Sequence, residues 1–232
     1  MAMIQSLILD EKKGKKEVSL EIKGAVLCGY TGRDQSAVKR HIEELKKEGV
    51  KPPPSVPTFY PKPPQGIVLE EHIYVEGHET SGEIEYVLLV NPQDIWVGLG
   101  SDHTDRGLER LDILKSKQVC PAVLSRSLWK YEEIKDHWDE IGIRSWATKE
   151  GKKVSYQEST LATILPPEEL IRLVQQKVQG PLEGIAIYSG TPPIKTEGMI
   201  FADRFEGELY DPILKRKLTL NYSIHTLSWF RD

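Results

Sequence analysis

Three carboxylates in this chain are spaced so that they could hold a metal ion. Glu83 and Glu85 lie two apart in Glu83-Ile84-Glu85, and Asp102 follows seventeen residues after Glu85. In an extended strand, residues two apart point the same way. The run that follows, Tyr86-Val87-Leu88-Leu89-Val90, is apolar on both alternating faces, so the strand enters the interior where the two glutamates sit. A carboxylate taken out of water without compensation costs several kcal/mol or shifts its pKa. A hard divalent cation removes that cost, and Mg²⁺, Mn²⁺ and Ca²⁺ all prefer oxygen ligands. The same Glu-x-Glu spacing also describes an exposed strand face with Ile84 turned inward.

The rest of the chain must position these groups, and its composition narrows what it can be. With 232 residues it is long enough for one large domain or two small ones. A formal net charge of −4 offers no broad basic surface, which argues against nucleic acid as a partner. Cys28 and Cys120 have no paired metal-binding spacing and read as buried free thiols in a reducing compartment. The segment Met1-Ala2-Met3-Ile4-Gln5-Ser6 does not read as a signal peptide, and no apolar run approaches bilayer length, so no membrane partner and a cytoplasmic address are expected.

Alternation of Ile4, Ser6 and Ile8, then Val18, Leu20 and Ile22 across a lysine-glycine turn, predicts a hairpin. Gly24 to Tyr30 reads as a short buried strand. Val38, Ile42 and Leu45 mark an amphipathic helix over about Gln35 to Glu48, capped by Asp34 or Ser36 and stopped by Gly49. Between Lys51 and Pro64, seven of fourteen residues are proline, which forbids helix and sheet interior. Val56, Phe59 and Tyr60 in that stretch favour an extended strap packed on the body. Further on, short helices are predicted around Ser127 to Ile134 and over Pro166 to Val174.

The order of motifs resembles the fumarylacetoacetate hydrolase superfamily from about Ala25 onward. That resemblance rests on Gly29-Tyr30, His41-Ile42-Glu43-Glu44, Phe59-Tyr60-Pro61-Lys62-Pro63, Glu83-Ile84-Glu85 and the Asp102 to Arg106 segment. Lys117-Gln118-Val119-Cys120-Pro121, Tyr156-Gln157-Glu158-Ser159-Thr160 and Ser189-Gly190-Thr191-Pro192 extend it. The sequence is most similar to an uncharacterised bacterial branch with Gly-Tyr-Thr-Gly-Arg-Asp and His-Trp-Asp segments.

The resemblance implies an α+β fold of mixed sheets rolled into a barrel-like core with small peripheral helices. It implies a catalytic domain over 25–232 with residues 1–24 as an N-terminal β extension, and a homodimer. It assigns Glu83, Glu85 and Asp102 to a Mg²⁺ or Mn²⁺ site, with Ca²⁺ as an alternative. Substrate contacts are implied for Tyr30, Arg106, Gln157 and Thr191, and a pocket lysine for Lys117 or Lys115, with Lys117 preferred. His41 and Glu44 are implied as the dyad that activates water. The expected chemistry is that of a hydrolase or lyase acting on a small oxo or diketo carboxylic acid through a metal-stabilised enolate, with C–C bond hydrolysis as the leading reaction. Hydration, decarboxylation or isomerisation, a catalytically silent binding relative, and a scaffold that uses the proline strap are the alternatives.

The chain also departs from that pattern. An insertion separates Tyr30 from His41, so Arg33 and Asp34 are an alternative to the dyad. Ser101 stands where the family has asparagine. His103 reads as a supporting or surface residue, not a ligand. Gly190-Thr191-Pro192 also reads as a simple turn, and Gln157 and Thr160 as capping residues.

Overall fold

The computed structural model describes residues 2–47, 52, 53, 55–69 and 71–229; the side chains of His41, Glu44, Leu45 and Lys47 lie outside the described residues. Alternating apolar positions produce strands over most of the chain. The expected hairpin forms from Met3–Glu11 and Gly14–Ile22. It lies at one edge of a ten-stranded mixed sheet, where Ile8 and Leu9 pair in parallel with Ser127 and Leu128. From that edge the sheet continues through Ser127–Lys130, Ile95–Asp102, Ile84–Val90, Ile185–Tyr188 and Gly24–Gly29 to Thr58–Lys62. A five-stranded sheet is built from His72–Val75, Gly142–Lys149, Lys152–Thr160, Arg204–Asp211 and Arg216–Thr226.

Two apolar cores follow from the two-residue period of the strands. Tyr86, Leu88, Val97 and Leu99 face one way and pack with Phe205, Leu209, Leu218 and Tyr222 of the five-stranded sheet. Val87 and Leu89 face the other way and pack with Leu7, Leu9, Leu27, Leu124 and Tyr188. All of these second partners are strand residues of the ten-stranded sheet itself, so the sheet must curl around them. The fold is the expected mixed-sheet, β-rich α+β class.

The proline-rich stretch ends in a strand, Thr58–Lys62, on the outer edge of the sheet. An edge tolerates Pro61, whose missing N–H leaves no ladder bond unmade inside the sheet. Phe59 and Tyr60 pack on the two cores, whereas Val56 is 40% exposed. The amphipathic helix spans Gln35–Lys47, and Asp34 Oδ1 caps it by accepting from Ser36 N and Ala37 N at 2.9 and 3.1 Å. Gly49, its expected stop, lies outside the described residues. The helix Pro167–Gln175 forms with its proline start.

The helix expected around Ser127 to Ile134 does not form. Ser127–Lys130 is a strand between the N-terminal hairpin and Ile95–Asp102, followed by short 3₁₀ turns at Tyr131–Glu133 and Lys135–Glu140. Its pairing partners are distant in sequence, and that tertiary pairing outweighs the local helical spacing. No helix among the described residues is long and apolar enough to cross a membrane.

Candidate metal centre

The ends of four adjacent strands meet at one edge of the ten-stranded sheet. Gly24–Gly29 and Ile185–Tyr188 run parallel, Ile84–Val90 runs antiparallel to Ile185–Tyr188, and Ile95–Asp102 runs antiparallel to Ile84–Val90. Glu83 and Glu85 therefore stand at the entry of one strand and Asp102 at the exit of its neighbour, with Glu85 opposite Gly100. Strand alternation puts Glu83, Glu85, Gly100 and Asp102 on one face. A Cβ on Gly100 would lie 2.5 Å from Val87 Cγ2 and 2.7 Å from Tyr188 Cε1, so only glycine fits between the carboxylates and the core beneath them.

One oxygen from each of Glu83, Glu85 and Asp102 lies within 4.8 Å of the others. Glu85 and Asp102 are almost fully buried, and Glu83 is partly open. Each carboxylate has a different second partner. Arg106 Nη2 meets Glu83 Oε1 at 3.0 Å, Gly190 N donates to Glu85 Oε2 at 2.9 Å, and Lys117 Nζ donates to Asp102 Oδ2 at 2.5 Å. Lys117 Nζ also lies 3.6 Å from Glu83 Oε2 and 3.4 Å from Thr104 Oγ1. Asp102 Oδ1 is buried and has no hydrogen-bond partner among the described residues.

The electrostatics follow from this geometry. Burial raises Glu85 well above the usual carboxylate range, and Asp102 and Glu83 push it further in the same direction. Burial opposes ionisation of Glu83 as well, but Arg106 and Lys117 outweigh it and lower its pKa. Burial also works against the charge on Lys117, yet Asp102 and Glu83 prevail and raise it. Glu109 accepts from Arg106 Nη1 at 2.8 Å, so Arg106 is shared between two carboxylates. The mutual repulsion of Glu83, Glu85 and Asp102, the hard oxygen donors and the buried Asp102 Oδ1 fit one divalent cation.

The surrounding motifs position these groups. Lys117 lies on the helix Ile113–Val119, whereas Lys115, two residues earlier on that helix, is exposed and pairs with Asp112 at 3.3 Å. Buried Lys62 donates to the carbonyls of Lys117 and Cys120, capping the end of that helix. Arg106 also donates from Nε to Ser81 Oγ at 2.8 Å, so its guanidinium is held on three sides.

Gln157 is saturated with protein partners. Its Oε1 accepts from Ile84 N and Ser145 Oγ, and its Nε2 donates to Thr191 Oγ1 at 2.6 Å and Pro192 O at 2.7 Å. Thr191 Oγ1 in turn donates to Ile84 O at 2.8 Å. Together they pin the Ser189-to-Pro192 loop so that Gly190 N reaches Glu85. Gly190 itself is required, because its φ is +84° and a Cβ would lie 2.1 Å from Thr31 Oγ1.

Tyr30 adopts a φ of +57° at the exit of Gly24–Gly29. Its half-buried phenol has a raised pKa, from burial first and then from Tyr60, Glu109 and Glu83. Arg33 turns away to make a two-pronged ion pair with Asp139, with both bonds at 2.8 Å. The expected dyad, His41 and Glu44, lies on the helix Gln35–Lys47, but both side chains are outside the described residues.

Sequence reasoning missed Glu109, Thr104, Ser81 and the Gly190 amide. The Asp105 cap, which accepts from Leu108 N at 2.8 Å, is the one local signal that announced the turn carrying Glu109.

The curled mixed sheet with its peripheral helices defines a fumarylacetoacetate-hydrolase-like fold. Residues 28–222 match the family described as "Protein of unknown function (DUF2848)", and the chain belongs to that family. Among solved structures, it is similar to Cg1458 with inhibitor at a TM-score of 0.65 and 19% identity, over 92% of this chain and 81% of that one. It is similar to 2-keto-3-deoxy-D-arabinonate dehydratase complexed with magnesium and 2,5-dioxopentanoate at a TM-score of 0.63 and 16% identity, over 88% and 73%. For 4-oxalocrotonate decarboxylase from Pseudomonas putida G7, complexed with calcium and acetate, the values are 0.50, 13%, 88% and 77%. A comparison with curated protein sequences returns no match.

Proposed function

We propose that this chain is a divalent-metal-dependent hydrolase or lyase acting on a small oxo or diketo carboxylic acid, with Glu83, Glu85 and Asp102 holding Mg²⁺ or Mn²⁺. The observation that carries this reading is the set of three carboxylate oxygens within 4.8 Å of one another beside the buried, unpartnered Asp102 Oδ1. When bound, the cation supplies Lewis-acid polarisation of the oxo and carboxylate oxygens of the substrate.

The chain's own residues do the rest. Arg106 fixes Glu83 through Oε1, while Oε2 faces Lys117 Nζ at 3.6 Å. Lys117, kept protonated between Asp102 and Glu83, directs an ammonium N–H toward anionic oxygens that enter over Glu83. The Gly190 amide holds Glu85 in place, and the half-buried phenol of Tyr30 is a proposed substrate contact. His41 and Glu44 complete the proposal as the pair that takes a proton from water and returns it to the product carbon. The dehydratase and the decarboxylase among the similar structures are both lyases and support that class within the proposal. A homodimer, a cytoplasmic address and a catalytic unit of residues 25–232 belong to the same proposal.

Calorimetry with Mg²⁺ and Mn²⁺ tests the metal. Wild-type protein should bind one ion per chain and Glu83→Ala should not; a wild-type protein that binds neither ion sinks the reading. A panel of oxo acids, with products identified by mass spectrometry, then tests turnover. Metal binding without turnover of any member would favour a silent relative, and turnover unchanged in His41→Ala would remove His41 from the reaction.

A further inference from the structure

Strand alternation divides Ser101-Asp102-His103 between two faces. Asp102 faces the carboxylate cluster, while Ser101 and His103 face the five-stranded sheet and meet Tyr222 from the strand Arg216–Thr226. All three of these residues are fully buried. Glu83 N donates to Ser101 Oγ at 3.1 Å, and Ser101 Oγ lies 2.8 Å from Tyr222 Oη. Tyr222 Oη lies 3.0 Å from His103 Nδ1, and His103 Nε2 lies 3.0 Å from Thr80 Oγ1. The His103 and Tyr222 rings meet edge to face at 5.7 Å. A Cβ on Gly82 would sit 2.6 Å from Tyr222 Oη, so glycine there lets the phenol come in this close.

The amide of Glu83 can only donate, so Ser101 Oγ accepts from it and is held in turn by Tyr222 Oη. Tyr222 Oη is tied to His103 Nδ1, and His103 Nε2 to Thr80 Oγ1, so four buried side chains form one continuous chain of bonds behind Glu83. On its other side the Glu83 peptide is clamped too, since Asp102 N donates to Glu83 O at 3.1 Å.

We propose that Ser101, Tyr222 and His103 form a hydrogen-bonded strut that fixes the backbone of Glu83 against Asp102 and so sets the carboxylate spacing from behind. None of the three touches the cluster's open face; they are positioning residues. The backbone part of the inference stands without a metal. Its consequence for affinity rests on the metal reading above.

Tyr222→Phe removes Oη and keeps the ring. In metal-free protein, the Glu83 amide should exchange with solvent at least tenfold faster in this variant, while the centre of Ile84–Val90 keeps its protection. Mn²⁺ affinity should fall about tenfold or more in Tyr222→Phe, the usual effect of losing a group that orients a ligand. Tyr86→Phe, which removes an equally buried hydroxyl bonded to Leu165 O, should change neither Glu83 exchange nor Mn²⁺ affinity. If Tyr222→Phe does not fold, Ser101→Ala serves the same measurements.

Unchanged exchange at Glu83 in Tyr222→Phe overturns the strut. A wild type that binds no Mn²⁺ overturns the metal reading instead, and the exchange measurement still decides the strut.

Discussion

Lys117 Nζ lies 2.5 Å from Asp102 Oδ2, with the Lys117 side chain 9% exposed and that of Asp102 2%. An ion pair this deeply buried offsets its own desolvation only while both partners are present. Lys117→Met should therefore destabilise the metal-free protein by about 3–5 kcal/mol, the cost of leaving a buried charge unpaired. It should also tighten Mg²⁺ binding, because a cation 3.6 Å from Glu83 competes for the same oxygens. Thermal unfolding with and without Mg²⁺ checks both, and the metal should restore more stability to the variant than to the wild type.

Glu85 behaves differently, because burial and its two carboxylate neighbours already oppose its charge. Glu85→Gln keeps an oxygen for the Gly190 amide and removes the repulsion. Metal-free Glu85→Gln should be at least as stable as wild type in urea unfolding, and its Mg²⁺ affinity should fall by about 100-fold. A variant that unfolds at much lower urea would show that the carboxylate contributes to folding without a metal.

Gln157 holds the loop that brings Gly190 to Glu85. Gln157→Ala leaves the buried Ile84 amide and the Pro192 carbonyl unpaired, at a cost of about 2–3 kcal/mol. Hydrogen exchange should localise the loss to the Ser189-to-Pro192 loop and the start of Ile84–Val90. Protection lost evenly across the sheet would speak against a latch.

Both cysteines should be inert in the folded protein. Burial pushes the Cys120 thiol up to about 12, with Asp105 adding to it, and burial raises Cys28 well above its ordinary value. The thiolate is the reactive form, so a disulfide reagent at pH 8 should label neither residue until urea is added. The folded pKa of Cys120 exceeds the unfolded one, so its contribution to stability is complete below about 8.5 and is lost as pH rises toward 12. The stability gap between wild type and Cys120→Ala should shrink over that window in urea titrations.

Much of this protein was legible from local pattern. A two-residue period puts Glu83 and Glu85 on one face, and the apolar run after them buries the strand; both follow from strand geometry alone. The hairpin, the Asp34 cap, the proline-started helix Pro167–Gln175 and the edge position of the proline-rich strand are equally local, because turn chemistry and missing N–H groups act within a few residues.

Other features were decided only in three dimensions. Lys115 and Lys117 stand about 200° apart around a helix, so one must face inward, but which one depends on how Lys62 and the sheet edge seat that helix. Ser127–Lys130 is a strand because both of its partners come from remote parts of the chain. Tyr222 reaches Ser101 across 121 positions and His103 across 119, and no spacing in the sequence records that meeting. The carboxylates were set by the local period of a strand. Their neighbours were set by which sheets pack together, an outcome of burial summed over the whole chain.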